Sequence, residues 1–310
     1  MPKTKKNSKK KDEQSADQLF NFSQDSYLER TSRPIYAIVF LLPFILFYEL
    51  GTLRINTDVL HQSQERVVAF VWLQDLLEPL GYGGKLAWAA PPLAVVVILL
   101  GLQITSGKQW NLHVGDLLPM AIECVLLAVP LIVLTLCLSS WAVPHADAGR
   151  LGGASIQNQA TGPPTCAAPA LCSGPPLLAG EPASNGTPRP LLANIITGIG
   201  AGIYEELVFR LILICILMLL FQDILRLPYK NSIVLAVLIS AALFSAHHHI
   251  DFLSGRPNEA DPFNTTKFVF RTIAGVYFAV LFAIRGFGIT AGTHAFYNII
   301  AVSITARFFQ

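Results

Sequence analysis

Two adjacent carboxylates and a guanidinium fall within seven residues, Tyr204-Glu205-Glu206-Leu207-Val208-Phe209-Arg210, inside an otherwise apolar run. An ionisable group at the centre of a bilayer costs roughly 2.5–3.5 kcal/mol by insertion scales, so three together are retained only where they are paired and used. On a helix, residues four apart share a face, which lets Glu206 pair with Arg210. Glu205 is rotated by about 100° from Glu206 and need not share that partner. One acid is thereby held ionised while the other is left to act. Taken alone, the motif is equally readable as a structural ion pair.

Two further polar groups follow. Phe244-Ser245-Ala246-His247-His248-His249 ends one apolar run, and His294-Ala295-Phe296-Tyr297-Asn298 lies inside another. Successive helical residues point about 100° apart, so one or two of the three histidines face any one cavity. His249 and Asp251 look closest to water. His294 and Asn298, four apart, share a helical face. Each group alone is explained by interhelical hydrogen bonding or an interfacial helix end. Three segments that each carry polar groups to membrane depth are expensive unless those groups meet. Meeting, they supply what amide hydrolysis needs. A carboxylate can take a proton from water, an imidazole can orient that water or pass the proton on, and a His/Asn pair can donate to a developing oxyanion.

The order Glu-Glu-x-x-x-Arg, Phe-x-x-x-His, His-x-x-x-Asn resembles the CPBP family, the CAAX prenyl protease and bacteriocin-processing intramembrane endopeptidases. The matching residues are Glu205, Glu206 and Arg210, then Phe244 with His248, then His294 with Asn298. The resemblance covers about residues 190–310. It implies that Glu205 and His248 activate the water, with His247 as the fallback, that His294 and Asn298 form the oxyanion site, and that Glu206 and Arg210 brace the first motif. The family's Phe-Arg-Gly continuation is absent, since Leu211 follows Arg210. The implied substrates are membrane-associated proteins or peptides, prenylated CAAX-type termini among them. No metal is expected: the His-Glu-x-x-His pattern of zinc proteases is missing, and Asn298 is a poor zinc ligand. Were a divalent ion such as zinc used, Glu205, His248 and His294 would be its ligands. A silent membrane scaffold that keeps the motif for stability is one rival reading. A proton-coupled carrier is another, but it would favour an internal repeat with paired broken helices, and the polar motifs lie only in the second half.

The elements that must position these residues follow from composition. The 310 residues are 53% hydrophobic and 14% charged, with a net charge of +2. Soluble domains carry about 25% charged residues, so the fold class is an all-α, polytopic transmembrane bundle. The small charge offers no nucleic-acid partner. A spanning helix needs about 20 apolar residues, and the candidate spans are 34–53, 86–104, 117–143, 191–225, 232–249, 267–285 and 288–308. That is about seven helices, within a range of six to eight. Gly198, Gly200 and Gly202 predict a bend or close helix packing ahead of the acid pair. Residues 67–77 form an amphipathic stretch suited to the interface.

Four parts are expected: a basic, disordered tail (1–33), N-terminal spans (34–143), a Pro/Gly/Ala-rich linker (144–190) and a catalytic helical core (191–310). Six lysines among the first eleven residues place the N-terminus in the cytoplasm by the positive-inside rule. This is a multi-pass protein, of the cytoplasmic membrane if the source is bacterial, with lipid as its surroundings. Cys166 and Cys172 share the linker and would pair only in an oxidising compartment. Cys124, Cys137 and Cys215 are packing residues. Glu49 is expected to snorkel to the interface, and Glu123 to reach water or a neighbouring helix.

Overall fold

The computed structural model describes residues 25–58, 67–80, 88–142, 191–252, 255–258 and 261–308. The linker 144–190, the pair Cys166 and Cys172, and the lysine-rich part of the tail lie outside these. The described residues form helices and no strands, joined by one isolated bridge between Ile250 and Pro257. The helices are α1 (Tyr27–Thr31), α2 (Pro34–Asp58), α3 (Val68–Leu77), α4 (Ala90–Ser106), α5 (Leu117–Ala142) and α6 (Leu191–Glu206). A π-helical segment, Leu207–Leu213, continues α6 into α7 (Ile214–Met218), and a second, Leu219–Ile224, follows it. The chain ends with α8 (Tyr229–Ala246) and α9 (Thr265–Phe308).

Five stretches among the described residues are long and apolar enough to cross a membrane: Pro34–Arg54, Val114–Leu138, Leu191–Ile224, Tyr229–Ala246 and Thr265–Arg307. The helix expected at 86–104 is α4, which at 17 residues is shorter than these. The two spans expected at 267–285 and 288–308 are the two helical stretches of α9, separated by a kink at Gly286, where φ is 73° and ψ −179°. A Cβ is poorly tolerated at that φ, so glycine is what lets the helix turn and resume.

The apolar surface divides as lipid immersion requires. Tyr36, Phe40, Tyr48, Phe70, Tyr204 and Leu207 belong to the largest buried cluster. Leu126, Val129 and Val133 of α5 and Val234 and Leu238 of α8 face outward and exposed. Hydrocarbon accepts such side chains but no unpaired backbone, which is why every crossing segment is helical.

The end of the expected tail is ordered and carries α1. Ser26 accepts from the Glu29 N–H at 3.4 Å as N-cap, and Arg30 grips Asp116 with two N–H groups at 3.0 and 3.1 Å. Glu123 pairs with a neighbouring helix: Arg285 donates to both of its oxygens at 2.6 and 2.7 Å, and the Tyr27 hydroxyl donates at 2.8 Å. Glu49 does not snorkel. It is buried and accepts from the Tyr204 hydroxyl at 3.0 Å. Of the three apolar cysteines only Cys124 is buried, while Cys137 and Cys215 are exposed.

Candidate active site

Three elements converge. The end of α6 brings Glu205 and Glu206, the turn after α8 brings His247 and His248, and α9 brings His294. Glycine at position 202 permits the first approach, because a Cβ there would lie 2.5 Å from the Ala295 backbone nitrogen and 2.7 Å from its Cα. The crowded glycines therefore act by close packing, and α6 runs unbroken from Leu191 to Glu206.

Directly after Glu206 the helix widens to π register over Leu207–Leu213. Such segments are uncommon and recur at functional sites. The register is braced from outside, since the Ser240 hydroxyl of α8 donates to the Phe209 carbonyl at 2.7 Å. Arg210 lies in this segment, fully buried, with Nε 3.1 Å from Glu206 Oε2. Its guanidinium carbon sits 4.1 Å from the Phe244 ring centroid and 5.6 Å from that of Phe278. Aromatic faces attract a desolvated cation, so Phe244 serves the site through Arg210. Leu211, where the family pattern has glycine, packs buried in the main apolar cluster.

Glu206 holds two partners. Oε2 faces Arg210, and Oε1 takes His294 Nδ1 at 2.7 Å. A carboxylate accepts, so Nδ1 carries the hydrogen and Nε2 is presented on the far side of the ring. That Nε2 lies 3.9 Å from Glu205 Oε2. The ring is held flat against Phe278, with centroids 4.5 Å apart and planes 19° apart.

His247 is arranged in the same way. Its Nδ1 bonds the Phe244 carbonyl. A carbonyl only accepts, so this nitrogen also carries its hydrogen, and Nε2 stands 3.6 Å from Glu205 Oε1. Glu205 thus has an imidazole Nε2 facing each oxygen, at separations too long for direct hydrogen bonds. Glu205, Glu206, His247 and His294 are all buried, whereas His248 is half-buried.

Helix α8 ends at Ala246, so the three histidines occupy a turn and helical spacing does not separate them. His247 and His248 therefore both reach Glu205. One ligand atom from each of the three lies within 4.8 Å of the others. His294 is held by Glu206 and is outside this group; His247 stands where the sequence suggested His294 for a metal. His249 is buried, its Nδ1 set against the Asp261 carbonyl at 3.2 Å, so its expected closeness to water does not hold. The Asn258 amide fixes the turn further by donating to the His248 carbonyl at 2.9 Å.

Asn298 lies one turn beyond His294 on α9, and its side-chain amide donates to the Gly198 carbonyl of α6 at 2.9 Å. Trp72 of α3, by contrast, was not marked by the sequence, yet its ring centroid is 5.8 Å from that of His247. An aromatic on a short apolar helix gives no local signal of such a contact.

No curated protein and no solved structure matches the chain. A family model does match, described as Type II CAAX prenyl endopeptidase Rce1-like, over residues 187–300. That segment contains every polar residue named above from Glu205 to Asn298. The apolar helices make this an integral membrane protein, and the family is one of proteases. Over residues 187–300, a little more than a third of its length, the chain is similar to the Rce1-like Type II CAAX prenyl endopeptidases.

Proposed function

We propose that the chain is an intramembrane endopeptidase that hydrolyses a peptide bond of a membrane-associated substrate, with prenylated CAAX-type C-termini as the substrate class the family suggests. The observation that carries the reading is the double cradle of Glu205, with His247 Nε2 and His294 Nε2 at 3.6 and 3.9 Å from its two oxygens. These separations are too long for direct bonds, and a water to one side of each pair reaches both the carboxylate oxygen and the imidazole nitrogen. Glu205 takes a proton from that water as the new C–O bond forms at the scissile carbonyl. His248 at the half-buried edge and His247 behind it orient the water.

Charge on the carbonyl oxygen then needs donors. Glu206 holds the Nδ1 side of His294 as the buried acid of a catalytic triad holds its histidine, and a hydrogen on Nε2 lets the ring donate to the oxyanion. The Asn298 amide nitrogen has a second hydrogen beyond the one given to Gly198 and is the further donor. Collapse breaks the C–N bond, and the proton taken by Glu205 passes to the leaving amine.

A second reading rests on the donor set Glu205, His247 and His248. One carboxylate and two imidazoles suit zinc, and a ligating histidine commonly donates its other N–H to a carbonyl, as His247 does to Phe244. A bound ion would polarise the scissile carbonyl or acidify its water.

The test is cleavage of a lipid-anchored peptide by the purified protein in nanodiscs. Glu205→Gln is expected to lose at least about 100-fold in kcat, the usual scale for a general base, and unchanged turnover would remove Glu205 from the chemistry. Loss of wild-type activity in chelator, restored by zinc, would select the metal reading.

A further inference from the structure

His247 is held from outside the segment that defines the family. Its ring meets His248 at 4.0 Å, Phe209 at 4.7 Å and Phe244 at 5.5 Å between centroids, all from the second half of the chain. Trp72 of α3 adds a contact from the first half, at 5.8 Å and 65°. Trp72 also meets Phe209 at 6.2 Å and stacks on Phe252, just past the histidine turn, at 5.5 Å and 24°. The indole therefore bridges the π segment after Glu206, the imidazole that faces Glu205, and the chain beyond His249.

α3 is itself fixed against the same machinery. Phe70 is fully buried and packs edge-on to Tyr204, the residue before Glu205, at 4.9 Å and 89°. Ala69 and Leu73 are buried with it. One short helix thus backs both acid-bearing and imidazole-bearing elements. Trp72 and His248 are both half-buried, while His247 between them is buried.

We propose that Trp72 is a positioning residue for His247, contributed to the endopeptidase site by the N-terminal half of the chain. The role rests on the protease reading above, in that His247 orients the water bound by Glu205. Nδ1 of His247 is pinned to the Phe244 carbonyl, but one hydrogen bond leaves the ring free to turn about that contact. Aromatic walls on its faces and edge remove that freedom. Without the indole the ring can swing Nε2 away from Glu205, and water enters behind it.

The test pairs kinetics with a chemical probe. Trp72→Ala should lower kcat about tenfold, the scale of a sub-ångström loss of alignment, with KM within about twofold, while Trp72→Phe should restore most of the loss. In a His247→Gln background Trp72→Ala should cost nothing further, the non-additivity expected of residues that act as a unit. A merely structural wall would cost the same in both backgrounds. A KM effect without a kcat effect would instead make Trp72 a substrate contact and overturn the proposal. Independently of turnover, diethyl pyrocarbonate should acylate His247 faster in Trp72→Ala than in wild type or Trp72→Phe, read by peptide mass spectrometry. Equal rates in all three would overturn the proposal even if no peptide is cleaved, and absence of wild-type cleavage alone would count against the protease reading.

Discussion

Replacing Gly202 by alanine is the sharpest probe of how the site is assembled. The added Cβ would meet the Ala295 nitrogen at 2.5 Å, its Cα at 2.7 Å and its Cβ at 2.9 Å. Two of these atoms are backbone, so no side-chain rotation relieves the clash. Ordinary contact needs about 3.5 Å, so α6 and α9 must separate by about 1 Å at this point. Glu205 and Glu206 lie one turn further along α6, and His294 is next to Ala295. A separation of that size stretches the 2.7 Å bond from His294 to Glu206 beyond hydrogen-bonding distance. Misplacement of about 1 Å can cost about 100-fold in rate. Gly202→Ala is therefore expected to fold in nanodiscs yet lose about two orders of magnitude in kcat. Gly101→Ala in α4, where a Cβ meets nothing within 4 Å, is the matched control and should be neutral. Turnover of Gly202→Ala within threefold of wild type would refute the claim that close helix approach sets the catalytic geometry.

Two further perturbations separate stability from chemistry. Glu206→Gln leaves the fully buried Arg210 without its carboxylate, and breaking a buried pair costs about 3–5 kcal/mol. Thermal unfolding in detergent should fall well below that of Glu205→Gln, and equal stability of the two variants would mean that Arg210 draws its support from the Phe244 and Phe278 rings and from the Gly275 carbonyl, to which it donates at 3.4 Å. Burial pushes the Asp261 carboxyl up, but Lys267 and Arg271, each at 2.7 Å, outweigh it and hold the group below its ordinary range. A depressed folded-state value means that its stabilisation is complete above the unfolded carboxyl value of about 3.9 and is lost as pH falls through the folded one. Asp261→Asn should lower the unfolding temperature at pH 7 and have no effect at the acid end, whereas a pH-independent deficit would show that the ion pairs contribute nothing.

What could be read from the sequence was what depends on spacing and on the cost of charge in lipid. The Glu206–Arg210 pair needs only four residues and one helical face, and it survives the change to π register at 3.1 Å. The meeting of three polar segments follows from the expense of leaving any of them in hydrocarbon. What could not be read depends on where a helix stops. With α8 continued through His249, the three histidines would point apart; its end at Ala246 puts His247 and His248 beside the same acid. Glu49 was misjudged because its partner, the Tyr204 hydroxyl, comes from a helix far along the chain, and no local pattern announces such a contact. The one-residue widening of a π segment likewise leaves no periodic signal among uniformly apolar neighbours.

The family match stops short of α1 to α5, yet these helices determine where the His294 imidazole points. α9 bends at Gly286, about two turns before His294, and whatever anchors the bend sets the direction of the helix beyond it. The anchor is Arg285, the residue before the kink. Both oxygens of Glu123 on α5 receive its N–H groups, and it donates in addition to the Leu28 carbonyl at 2.8 Å and the Thr31 hydroxyl at 2.9 Å on α1. A two-pronged arginine–carboxylate contact fixes orientation as well as distance. The kink, the Trp72–His247 ring contact and the Tyr204–Glu49 bond are three independent points at which the first half of the chain holds the second. The convergence of Glu205, His247 and His294 is thus a property of the whole bundle, although all three lie within the matched segment 187–300.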